Sequence, residues 1–336
     1  MIDLHLHLDG SLAKEDFIYL LNKEGVEIPP YLDELIHVPS DCPSLVDYLK
    51  RFDLPCSLMQ SRENLIYVTK SLVNRLYKMG YIYAEIRFAS QLHTNKGLTQ
   101  KQVIEAVLEG LKEGLKDKKD FDANLILCMM THAKEEVNME TLKSVVEIND
   151  PKIVAIDLAG AEGIYPSLHY KRLFDYAQEH HLNITIHAGE ACGNESVMGA
   201  IDNGAMRIGH GVHLDLNSEE SLRKVHDNHI YFEFCPTSNL QTKSLKDYNA
   251  VPLIEFRKHN IPVTINSDNM TVSNTDVISE FKHLFVTFNL SEDDVFYYLN
   301  NSIDATFVSS EKKEILRIIL VERINDFYNK IRSAPY

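Results

Sequence analysis

At 336 residues, with 44% hydrophobic and 25% charged residues and no low-complexity tract, the chain has the composition of a globular protein with an ample core. A formal net charge of −15 repels phosphate backbones and anionic membrane surfaces, so nucleic acid and polyanionic ligands are disfavoured, and no apolar run is long enough to cross a bilayer. The five cysteines (Cys42, Cys56, Cys128, Cys192, Cys235) lack C-x-x-C spacing and read as reduced thiols, and the first motif lies so near Met1 that a cleaved signal peptide would remove part of it, so a cytoplasmic protein is expected.

In chain order, short runs rich in Ile, Val, Leu and aromatics predict strands over 2–8, 81–89, 123–131, 153–159, 184–187, 206–209, 230–235 and 261–266. After the first strand, residues 11–80 are too long for one crossover. Their helical segments, interrupted at Pro29-Pro30, Pro39, Pro43 and Pro55, read as an inserted helical lid. Helical periodicity recurs over 99–117, where Thr99 caps a face of Val103, Ala106, Val107 and Leu111, and over 166–181, 194–203 and 218–227. Extra C-terminal helices follow over 275–288, 291–301 and 310–331, the last opened by Ser309-Ser310. Strand-helix alternation of this kind predicts an α/β chain folded as a (β/α)8 TIM barrel, with no linker to divide 1–336 into more than one domain.

In such a barrel the active site lies at the C-terminal ends of the strands, and here those ends carry His5, His7 and Asp9, Asp157 and Gly160, His187 and Glu190, His210, and Asp268 with Asn269. On a strand, residues two apart point to the same face, so His5 and His7 lie together. A lone histidine is more often a hydrogen-bonded core residue. Two imidazoles held side by side, with more His and Asp at later strand ends, point to a shared divalent metal. His5, His7, His187 and Asp268 form a candidate ligand set. Nitrogen donors with one carboxylate and no thiolate suit one Zn2+ per chain, though Fe, Co or Ni would accept the same atoms, and a water on the metal would become nucleophilic near neutral pH.

The order of motifs resembles the adenosine deaminase family: H-x-H-x-D-G at 5–10, D-L-A-G at 157–160, H-A-G-E at 187–190, G-H-G at 209–211, C-P-x-S-N at 235–239 and S-D-N at 267–269. The resemblance implies zinc-dependent hydrolytic deamination of adenosine, and of 2′-deoxyadenosine, to inosine and ammonia. It makes His5, His7, His187 and Asp268 the zinc ligands, Glu190 the acid that protonates the purine, and His210 the group that orients or deprotonates the attacking water. Asp268 then serves catalysis as well as the metal, and His7 borders the substrate. By the same resemblance the Gly160 N–H meets a ring nitrogen and Asp9 meets the ribose 5′-hydroxyl.

Two departures stand out. Where an acid is frequent, this chain has Asn269, whose amide donates to purine N7 at any pH while an acid must first be protonated. The glycine of D-L-A-G is followed by Ala161-Glu162 rather than an acid pair, which leaves the role of Glu162 open. Phe52 is a candidate apolar wall over the substrate, or a core residue. "IDLAGAEG" holds no lysine to bridge two metals, which favours a single-metal site, and the H-x-E with P-C-x-x-C signature of other zinc deaminases is missing. The remaining alternatives are a relative acting on adenine, an N6-substituted adenylate or aminodeoxyfutalosine, or a non-catalytic purine-binding relative. The expected partner is a small-molecule purine nucleoside, with no nucleic acid and no membrane; the sequence leaves the oligomeric state open.

Overall fold

Eight parallel strands run Ile2–His7 (β1), Tyr83–Phe88 (β2), Asp122–Met130 (β3), Ile153–Ala159 (β4), Thr185–Ala188 (β5), Arg207–His210 (β6), Tyr231–Phe234 (β7) and Val263–Ile265 (β8). In this computed structural model, which describes residues 1–39, 42, 43, 45–164 and 170–336, they pair in chain order as two four-stranded sheets, β1 to β4 and β5 to β8. Two seams close the cylinder. Ile156 of β4 pairs with Ile184, and Leu6 of β1 pairs with Asp268, where His7 N donates to Asp268 O at 2.7 Å and Asp268 N to His5 O at 2.8 Å. The α/β barrel read from the sequence is therefore the fold, with each strand within about three residues of its expected ends. The seam at Asp268 sets that residue beside both histidines of β1.

The strands are buried on both faces, as parallel strands wrapped by helices must be. Side-chain caps start the outer helices where the sequence puts them: Thr99 Oγ1 accepts from Gln102 N at 3.2 Å, and Ser309 Oγ from Lys312 N at 3.3 Å. The C-terminal helices span Val277–Phe288, Glu292–Ala305 and Ser310–Ser333. The middle one lies along β8, its Asn301 Nδ2 donating to Val263 O at 3.2 Å.

The 11–80 insert divides in two. The helix Lys14–Lys23 and the short helices Leu32–Ile36, Leu45–Leu49 and Asp53–Leu58 gather near the end of β1, while Arg62–Met79 is a long helix packed on Gln100–Leu115 in the outer ring, with Lys70 paired to Glu113 at 2.9 Å. Pro55 does not interrupt a helix as expected. It sits at the third residue of Asp53–Leu58, where a first-turn N–H has no helical partner to lose. The helix expected over 166–181 is seen as Lys171–Glu179, and 165–169 lie outside the described residues. Among the described residues no helix is long and apolar enough to cross a membrane.

Candidate active site

At the C-terminal mouth, the nitrogens of His5, His7 and His187 come within 4.8 Å of one another. His5 Nδ1 is taken by Glu233 Oε2 at 2.7 Å and His187 Nδ1 by Asp157 Oδ2 at 3.0 Å, so both rings turn Nε2 toward the common centre. Asp268 Oδ1 stands 3.4 Å from His7 Nε2 and 3.7 Å from His5 Nε2. Donors around a tetrahedral zinc with bonds of about 2.0–2.1 Å are separated by about 3.3 Å, so the three clustered histidine nitrogens, with Asp268 Oδ1 beside two of them, are suited to one cation. His5 Nε2 is buried and has no hydrogen-bond partner in the protein, as expected of a donor atom reserved for a metal.

Electrostatics keep two of the three rings ready to bind. Burial, with Arg87 and neighbouring imidazoles, holds His5 and His7 far below the usual histidine pKa, so both stay neutral and keep a lone pair. For His187 burial acts the same way, but the Asp157 carboxylate overrides it and raises the pKa. The carboxylates behind the rings remain ionised despite their burial: His187 and Arg87 pull Asp157 down, and Arg87 with Arg207 pull Glu233 down.

Of these supports the sequence singled out only Asp157, not Arg87, Glu233, Arg207 or Glu85. Arg87 Nη1 donates to Asp157 Oδ2 at 2.9 Å and its Nη2 to Glu233 Oε2 at 2.8 Å, so one guanidinium spans the carboxylates that hold His5 and His187. Arg207 then joins Glu233 to Glu85, at 2.6 and 2.7 Å. Their signal in the sequence was charge at alternate positions inside apolar strands, YAEIRF and YFEF, where an unpaired ion would be costly.

Glu190 and His210 stand beside each other in the cavity wall, with His210 Nε2 3.6 Å from Glu190 Oε2. Burial pushes the Glu190 pKa up to about 7, which keeps a proton available near neutrality, and Thr242 Oγ1 donates to its Oε1 at 3.0 Å. Asn239 Nδ2 donates to His210 Nδ1 at 3.0 Å, so the neutral ring carries its hydrogen on Nε2, toward the cavity. Of the two roles left open for His210, this geometry serves orientation of a water rather than removal of its proton. His210 and Asp268 both adopt left-handed backbone, at φ 62° and 60°, a strain of about 1–3 kcal/mol each that aims these side chains inward.

The open role of Glu162 also has an answer in the structure. Its carboxylate accepts from four successive backbone amides, Gly189 at 2.7 Å, Glu190 at 3.0 Å, Ala191 at 2.8 Å and Cys192 at 3.2 Å, and from the Ser196 hydroxyl. It holds in place the loop that carries Glu190.

A cavity of about 230 Å³ opens over the centre, lined by His7, His187, Asp268, Glu190 and His210 and also by Asp9, Gly160 and Asn269. His5 stands behind this wall. Asp9 Oδ1 is buried without a partner, and burial raises the acid's pKa to about 6. Gly160 has φ 120°, open to glycine alone, and a Cβ there would lie 2.5 Å from Thr131 Oγ1, so its main chain stays bare to the cavity. Tyr48, Leu49, Phe52 and Leu92 form the apolar side, where Phe52 both lines the cavity and packs on the buried cluster of Val38, Cys42, Tyr48 and Val272. The sequence reading missed Tyr48.

The family model described as adenosine deaminase matches residues 1–323. The chain is 42% identical over 331 residues to an adenosine deaminase of Haemophilus ducreyi, covering 96% of each. Among solved structures it is similar to an N6-methyl-AMP deaminase of Arabidopsis thaliana, with a TM-score of 0.84 and 26% identity over 97% of each chain. An adenine deaminase of Arthrobacter aurescens has the same fold, with a TM-score of 0.87, 24% identity and coverage of 96% of this chain and 98% of that one.

Proposed function

We propose, for a chain that belongs to the adenosine deaminase family, that it hydrolyses the 6-amino group of adenosine and 2′-deoxyadenosine in the cytoplasm, giving inosine and ammonia. The observation that carries this reading is that a buried Glu190, its pKa raised to about 7, shares one small cavity with the metal-type donors of His7, His187 and Asp268. A binding protein needs the cavity but neither of those.

His5, His7, His187 and Asp268 would hold one zinc, which would supply Lewis acidity that lowers the pKa of the attacking water toward about 7. Glu190 gives its proton to N1 of the purine as water adds at C6, so negative charge does not accumulate on the ring. His210 orients the water through its Nε2–H, and Asp268 accepts the proton that the water loses. Asp268 then returns that proton to the departing amine. The hydroxyl proton of the adduct passes back to Glu190, leaving C6 as a carbonyl, N1 protonated and ammonia released. Asp9 meets the 5′-hydroxyl, the Gly160 N–H a ring nitrogen, Asn269 the purine N7, and His7 borders the ring. The helical turns before residue 62 close over the nucleoside as a lid.

Asp9 favours a nucleoside over a free base, which has no 5′-hydroxyl to offer. Turnover of adenosine, 2′-deoxyadenosine, adenine and adenosine monophosphate tests the reading: the two nucleosides should be turned over far faster than the others. A preference for adenine or for the monophosphate would contradict it.

A further inference from the structure

Asn269 presents two ends of nearly the same shape, a donor and an acceptor, and its surroundings decide which of them a ligand meets. Its Nδ2 donates to the Tyr48 hydroxyl at 2.9 Å. As acceptor in that bond, the hydroxyl is free to pass its own hydrogen to Ser273 Oγ at 2.8 Å. Asn269 Oδ1 is buried without a hydrogen-bond partner and pressed on Gly10, so closely that a Cβ on that glycine would lie 1.9 Å away. A carbonyl oxygen tolerates the Cα–H of Gly10, whereas the reversed amide would press its N–H2 group there. Tyr48 and Asn269 are each only 3% exposed, and both line the cavity. One N–H of the amide is taken by Tyr48, and the second remains for a ligand.

We propose that Tyr48 is a positioning residue that sets substrate specificity, by holding Asn269 with its donor end toward the cavity. Tyr48 thereby sets how strongly the Asn269 contact with ring position 7, which belongs to the functional reading above, prefers a bare nitrogen to C–H or an alkyl group. This inference rests on nucleoside turnover at the site.

Steady-state kinetics on adenosine and 7-deazaadenosine, which carries C–H in place of N7, test it. Wild-type protein should favour adenosine in kcat/KM by about tenfold, the effect of one hydrogen bond between buried partners. Tyr48→Phe should lose most of that preference through a KM for adenosine raised about five- to tenfold, with kcat within about twofold and 7-deazaadenosine unaffected. In an Asn269→Ala background the same change should cost nothing more, because Tyr48 acts through the amide. Ser273→Ala is a second probe: the Tyr48 hydrogen, deprived of its acceptor, turns to Asn269 and favours the reversed amide, which should remove part of the preference. A wild type without preference, full discrimination in Tyr48→Phe or, should that variant not fold, in Ser273→Ala, equal losses on both substrates, or additive losses in the double variant overturns the inference. Failure of the wild type to deaminate adenosine overturns the functional reading instead.

Discussion

On one side of the cavity, His5, His187 and Glu190 stand on or just after strands of the barrel, and each is held from behind: His5 by Glu233, His187 by Asp157, Glu190 by Thr242 and through its loop by Glu162. On the other side, Tyr48, Leu49 and Phe52 come from short helical turns of the insert and Leu92 from the turn after β2, and they meet the cavity mainly with apolar surface. The first side is fixed by buried ion pairs that tolerate little displacement, while the second is packing, which can adjust. The division assigns chemistry and the polar substrate contacts to the barrel, and adjustable apolar packing against the substrate to the insert. It predicts that changes behind the barrel side lower kcat, and changes on the insert side raise KM.

The largest effect should follow from Glu162. In Glu162→Gln an N–H2 group faces backbone N–H donors, the loop shifts, and kcat is expected to fall about 10²-fold or more with metal content unchanged, as a misplacement of about 1 Å can do. Metal analysis beside turnover checks this, and a change confined to KM would break the division. Asn239→Asp should draw the imidazole hydrogen of His210 to Nδ1 and leave Nε2 bare toward the cavity, costing about 10²-fold in kcat with KM little changed. The pH profile comes next. Glu190 acts while protonated, so activity present below about pH 7 is lost as pH rises through its raised pKa, with kcat/KM falling about tenfold per unit above it. Steady-state kinetics between pH 6 and 9 measure this, and a flat alkaline limb would remove Glu190 as the acid. The smallest effect belongs to the insert: Phe52→Ala should raise KM for adenosine about five- to tenfold and leave kcat within about twofold, as lost uniform binding does. A fall in kcat at unchanged KM there would erase the distinction between the two sides.

The barrel was legible because a strand buried on both faces is an apolar run and its crossover a periodic helix, and the candidate centre was legible because strand ends such as HLHLDG and HAGE hold polar residues that an apolar pattern does not need. What stayed hidden depends on partners distant in sequence. Arg87 reads as one charge in a strand until Asp157 and Glu233 are placed against it. The partners of Glu162 are backbone amides, which leave no trace in residue identity. Tyr48 lies in the five-residue helix Leu45–Leu49, too short for periodicity to orient it, and only the meeting with Asn269 and Ser273 gives its hydroxyl a purpose. The division of 11–80 was missed for the same reason, since a ring helix and the short turns before it are told apart only by packing on Gln100–Leu115.

The central claim is that His5, His7, His187 and Asp268 hold one divalent metal on which adenosine turnover depends. Its most direct test is to strip the purified protein with a chelator, confirm by metal analysis that it is empty, and titrate zinc back while following conversion of adenosine to inosine. Turnover is expected to vanish on stripping and to return in full at about one zinc per chain. Undiminished turnover by the metal-free protein would contradict the account.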